Sequence, residues 1–181
     1  MLPEGYQIIA KSIDTIIEKV GNLLSFLMIF LVCVVLIVVV GRYFFQIGSI
    51  GLQELITYLH ATIFLLGISY TLKQDGHVRV DIFYRDFSQK KKALVNLIGE
   101  IFFVLPISVF ILWVCVDYVL ASWSILETSK ENNGLPFVYL LKSLMLVMPI
   151  LLILQGLTIM LKNLLILSKS ETPSSNADIK S

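Results

Sequence analysis

The run from Leu23 to Gly41 holds nineteen consecutive residues without an acid or a base. At a rise of about 1.5 Å per residue, a helix of that length nearly crosses a hydrocarbon layer roughly 30 Å thick. The run is rich in valine and isoleucine, but it is too long for one buried strand. It is not a removable signal either. It starts only at Leu23, exceeds a normal apolar signal core, and reaches Arg42 without a small-residue cleavage site. The rest of the chain agrees. Of its 181 residues, 57% are apolar and 15% charged, against about half and a quarter in soluble domains. That balance excludes a disordered chain, a disulfide scaffold and an ordinary cytosolic enzyme.

Three more spans follow. The second, about Leu55 to Leu72, is the most polar, with Thr57, Tyr58, His60, Thr62, Ser69 and Tyr70. The third runs from near Ala93 to about Leu120 and must tilt, kink or leave the bilayer, with Pro106 as a natural kink. The fourth runs from about Val138 to Leu161, with Pro149 near its middle. The fold expected is therefore an all-α integral membrane protein of four transmembrane helices with interfacial amphipathic helices.

Four spans put both ends on one side. That side carries Lys11, Lys19, Lys73, Arg79, Arg85, Lys90, Lys91, Lys92, Lys162, Lys169 and Lys180, whereas the other has only Arg42, Lys130 and Lys142. The bias places both termini in the cytoplasm. Trp113, Tyr118 and Trp123 then cluster toward the outer interface. Ile9, Ile13, Ile16, Ile17 and Val20 recur at helical spacing, so residues 1–22 read as an amphipathic lead-in along the cytoplasmic surface. Residues 23–167 form the four-helix transmembrane domain, and residues 168–181 a flexible cytoplasmic tail. Between the second and third spans, Val80, Phe83 and Phe87 suggest a further surface helix with an Asp81–Arg85 pair. Beyond the third span the helix is expected to extend as far as Glu127. Lys90, Lys91 and Lys92 suit anionic membrane lipids.

Ionisable groups inside a bilayer are costly and point to function or packing. Arg42 and Glu54 flank the first outer turn and are expected to pair; contact with a partner protein or a substrate is the alternative. Asp117 and Lys142 lie at similar depths and could pair across helices. Glu100 can snorkel or meet another protein. His60 shares a helix face with Thr57, Phe64 and Gly67, a seam suited to helix–helix contact. Cys33 and Cys115 read as small buried hydrophobes. The other histidine, His77, lies outside the spans, which argues against a haem held on both faces. Nucleotide-loop, zinc-protease and nucleophile-elbow motifs are missing from the sequence. No enzymatic reaction, cofactor or metal is expected. Fourteen bases against thirteen acids give a net charge of +1, so no nucleic-acid partner is expected.

The stretch GLQELITYLHATIFLLGISYTLKQDGHVRVDIFY, from Gly51 to Tyr84, resembles the small membrane subunit of tripartite ATP-independent periplasmic (TRAP) transporters. Gly41-Arg42-Tyr43 resembles the arginine–aromatic end of that family's first span. Glu54 falls where the family carries an acid at the start of the second span. Gly76, His77, Arg79 and Asp81 match the signature that follows that span. Gly134-Leu135-Pro136 through Gln155-Gly156-Leu157 resembles the end of one branch, and the likeness covers roughly residues 20 to 162. Many relatives have a tryptophan and two neighbouring acids where this chain has Leu52-Gln53-Glu54.

The resemblance implies a small scaffold subunit of a sodium-coupled importer of organic acids or related solutes. A large polytopic membrane subunit would hold the substrate and sodium sites and move like an elevator. A periplasmic substrate-binding protein would deliver the solute. The rival readings are an autonomous proton-coupled carrier using Glu54 or Asp117, and a membrane anchor for a redox complex.

Overall fold

The computed structural model describes residues 4–76 and 84–169, and its elements are helices: α1 (Glu4–Phe44), α2 (Ile50–Lys73), α3 (Gln89–Ser124) and α4 (Val138–Lys169). All four are long and apolar enough to cross a membrane. α1 and α2 form a hairpin, and α4 packs against α1, α2 and α3, which makes it the shared neighbour. The start of α1, the end of α2 and the end of α4 meet at one end of the bundle, where Asp14, Glu18, Lys73 and Lys162 come together. We call this the tail end. The α1–α2 turn and residues 125–137 form the opposite, loop end.

The lead-in and the first span are one unbroken helix, about 60 Å long at 41 residues. The helix does not break at residue 22, and its inward stripe continues across that position. Ile17, Gly21, Leu24, Leu31 and Val34 are buried, at spacings of four, three, seven and three. That is the seam spacing of packed helices in a left-handed bundle. The polar side of the lead-in is also used. Asp14 and Glu18 reach the lysines of α4 and α2.

Capping serines open two of the helices. Ser49 accepts the Leu52 amide at 3.3 Å ahead of α2, and Ser88 accepts the Lys91 amide at 3.5 Å ahead of α3. α2 closes with Asp75 in the left-handed region (φ 54°) and the Gly76 amide donating to the Thr71 carbonyl at 2.9 Å. α3 carries a π-helical turn over Glu100–Val104, just before Pro106. Proline lacks an N–H and its ring clashes with the carbonyl four residues back. A wider turn relieves both problems, so the proline of the third span is met by a π turn. Pro149 sits inside the continuous helix α4 and is buried there.

At the loop end α3 stops at Ser124, short of the expected Glu127. Leu126 turns left-handed (φ 47°), and the Glu127 amide donates back to the Ser122 carbonyl at 3.0 Å. This early stop points Glu127 at α4. Cys115 is buried, but Cys33 is exposed on the outside of α1, so only one of the two thiols is a core residue.

Candidate functional site

Polar side chains gather in three places, two of them at the ends of the bundle. At the loop end, Glu54 projects from the second turn of α2. Its Oε1 accepts the Ser129 hydroxyl and its Oε2 accepts the Leu135 amide at 2.6 Å. One carboxylate thereby fastens a helix to a loop 75 to 81 residues later in the chain. Gly134 makes room for this, since a Cβ there would land on the Ser129 side chain and 2.8 Å from Glu54 Oε1. Ser129 also accepts the Glu131 amide at 3.1 Å, and its own amide donates to the Leu135 carbonyl at 3.2 Å. The loop is folded around the acid.

Arg42 is not the partner of Glu54. It is exposed and lines a small cavity of about 140 Å³ with Gln53, between the end of α1 and the start of α2. Successive helix residues lie about 100° apart. Gln53 therefore faces the Arg42 side while Glu54 faces the loop. Sequence proximity favoured the wrong pair.

The same one-residue rotation separates Asp117 from Lys142. Lys142 Nζ donates to Glu127 and lies 4.1 Å from the centre of the Tyr118 ring. Asp117, the preceding residue, is exposed on α3. The Lys142 ammonium holds the Glu127 carboxyl below its ordinary value. Beside this pair, Trp123 Nε1 donates to the Ser143 hydroxyl at 2.8 Å, and its ring meets Tyr139 edge-on at 4.8 Å. These contacts tie α3 to α4.

The tail end is held by ion pairs between helices. Lys73 Nζ donates to the Glu18 carboxylate and to the Asp14 carbonyl at 2.8 Å, and Lys162 Nζ donates to Asp14 Oδ2 at 2.6 Å. Deeper in, the Tyr70 ring lies against Gly21, where even a Cβ would collide with it. Glu100 does not snorkel. It is buried in the π turn, and a Cβ on Gly156 would come within 2.9 Å of its Oε2. Gln155, Thr158 and Asn163 are buried along α4 on the same half of the bundle.

The third group is the α2 seam. Thr57, His60 and Phe64 are exposed, with the His60 and Phe64 rings stacked at 6.2 Å. Gly67 borders a groove shared with α1. The expected helix contact is therefore not made within the chain's own bundle. Among the motif positions, Gly76 caps α2 as described above, while His77, Arg79 and Asp81 lie outside the described residues, as does most of the expected surface helix around Val80 and Phe83. Sequence reasoning missed Ser129, Glu127 and Gly156. The signal for Gly134 was visible as a turn glycine beside Asn132 and Asn133.

Four long apolar helices, joined to one another at both ends by polar contacts, define a multi-pass membrane protein. The family model for the DctQ component of tripartite ATP-independent periplasmic transporters matches residues 31–165. The chain belongs to that family. It is a transporter component of the inner membrane and not an enzyme. No curated protein and no solved structure matches it.

Proposed function

We propose that this chain is the stationary scaffold of a sodium-coupled importer of organic acids or related solutes. In this reading it supports the large polytopic subunit that carries solute and ion, while a periplasmic substrate-binding protein feeds the complex. Both termini face the cytoplasm, which puts the tail end inside and the loop end at the periplasm. The charge bias of the connecting segments supports that orientation.

The observation that carries the reading is how Glu54 is used. Both of its oxygens are committed to Ser129 and Leu135, so the first acid on which the proton-carrier reading relies instead clasps helix to loop. An ion-coupled carrier needs a polar site that exchanges its ligands near the bilayer midplane. Glu54 is bound to its own chain at the loop end. Asp117, the other acid of the proton-carrier reading, stands on an outer helix face and not between helices of the bundle. The redox-anchor reading gains no support from membership of a transporter family.

The test is purification from native membrane followed by reconstitution. The chain should copurify with a polytopic membrane protein, and proteoliposomes holding the chain alone should take up no solute under a sodium gradient. Coupled uptake by this chain alone would overturn the scaffold reading.

A further inference from the structure

The seam on α2 is unusual for a face that its own bundle leaves open. Gln53, Thr57, His60 and Phe64 are exposed, at spacings of four, three and four, and Gly67 continues the line. His60 lies near the middle of the 24-residue helix, about 15 Å from Ile50. A histidine there is beyond the reach of water at either interface, and lipid chains offer it nothing to bond. Among the described residues its only ring contact is Phe64, and no hydrogen bond is made to either imidazole nitrogen.

Toward the tail end the seam runs into a groove of about 750 Å³ between α1 and α2. Gly21, Ser25, Gly67 and Thr71 are among its mostly apolar walls, and the two hydroxyls donate to the Gly21 and Gly67 carbonyls of their own helices. Small residues allow close backbone approach, and polar ones bond across helices, which is how membrane helices recognise each other without a hydrophobic drive. By contrast, the outward face of α1 at Phe26, Ile29, Phe30, Leu36 and Ile37 is wholly apolar and needs only lipid. On α2 only Ile50, Gln53, Thr57, His60 and Phe64 are exposed, while the rest of the helix is half-buried or buried, so the open face is one narrow stripe.

We infer that the α2 seam and its groove seat a transmembrane helix of the large transporter subunit, which supplies a hydrogen-bonding group to His60 near the midplane. The inference rests on the scaffold reading for its occupant. The polarity of the seam selects a protein helix over lipid. The groove beside Gly67 sets where that helix comes closest.

A photo-crosslinking phenylalanine analogue tests this in the whole complex, because it can replace Phe64 on the seam or Phe26 on the apolar face of α1 with little change of shape. Both side chains are well exposed, at 62% and 69%. Irradiation of membranes should join position 64 to the large subunit and leave position 26 on lipid. His60→Leu (H60L) should lower recovery of the large subunit, and His60→Gln (H60Q), which keeps a hydrogen-bonding group, should restore most of it. Crosslinks from position 64 only to lipid, or to a second copy of this chain, would overturn the surface assignment. If the unmodified chain still retained the large subunit in that case, the scaffold reading would stand while this surface fell. If no large subunit were retained at all, the scaffold reading would fall first.

Discussion

The two ends of the bundle hold α2 by different chemistry. At the tail end, lysines on α2 and α4 meet acids on α1 as ion pairs, and the Glu18 side chain is half-exposed. Such pairs are made between long flexible groups, tolerate small shifts, and weaken in salt. At the loop end the Lys142–Glu127 pair fastens the loop to α4, but α2 is held through Glu54, which is received by a hydroxyl and a backbone amide, donors that carry no charge and have fixed directions. That clasp depends on geometry. The tail end can adjust while it stays attached, whereas the loop end is either closed or open. The difference suits the scaffold proposed above.

The largest effect is expected where the tail end stops being electrostatic. Gly21 lies under the Tyr70 ring, so Gly21→Val (G21V) should force the hairpin apart and cost about 1–3 kcal/mol, as overpacking does. Chemical unfolding in detergent micelles measures it. A variant as stable as the parent would mean that α1 and α2 do not approach so closely.

Next comes the clasp. Glu54→Ala (E54A) removes both acceptors, which should speed hydrogen exchange at the Leu135 amide and release residues 125–137 while the spans stay helical. Glu54→Gln (E54Q) keeps one carbonyl oxygen and should fall between. Equal exchange in all three proteins would contradict a directional clasp. Replacing Arg42 should leave that amide untouched, because Arg42 is not part of it.

A smaller effect is expected from pH. Lys142 holds the Glu127 carboxyl below its ordinary value, so the folded form releases that proton more readily than the unfolded chain does. The resulting stabilisation is full above the ordinary carboxylate range and fades as pH falls through the lowered value. In a Trp113→Phe (W113F) background, Trp123 fluorescence should report loosening of the α3–α4 contact on acidification. Glu127→Gln (E127Q) should remove that transition, and a transition unchanged in E127Q would assign it elsewhere.

The smallest effect is Lys162→Ala (K162A), which removes one partly exposed pair and should cost ~0–1 kcal/mol. Roughly 1 M salt, with a screening length of about 3 Å, should reproduce it in the parent protein and leave the Leu135 amide protected. Salt that opened both ends alike would erase the distinction between them.

Much of this architecture was legible in the sequence because span length and apolar continuity are local quantities. Leu23 to Gly41 announced itself, and the polar content of the second span already marked the His60 seam. The partners of Glu54 and Lys142 were hidden for a physical reason. Each choice turns on one residue's rotation about a helix axis and on a loop far away in sequence. Arg42 was the near neighbour, yet Gln53 and not Glu54 faces it. The unbroken run of α1 through residue 22 could have been read from the stripe Ile17, Gly21, Leu24 and Leu31, whose spacing crosses the change in composition without a shift. The π turn left a fainter trace in an acid and a proline six residues apart.

The proposed stationary role is tested most directly by distance. Spin labels at positions 42 and 130, both exposed at the loop end, bracket the clasp. Measured in the assembled transporter with Cys33 and Cys115 replaced, their separation should give one distribution, unchanged by sodium, by solute or by the two together. A shift of several ångströms as the ligands bind would make this chain a moving part and contradict the account.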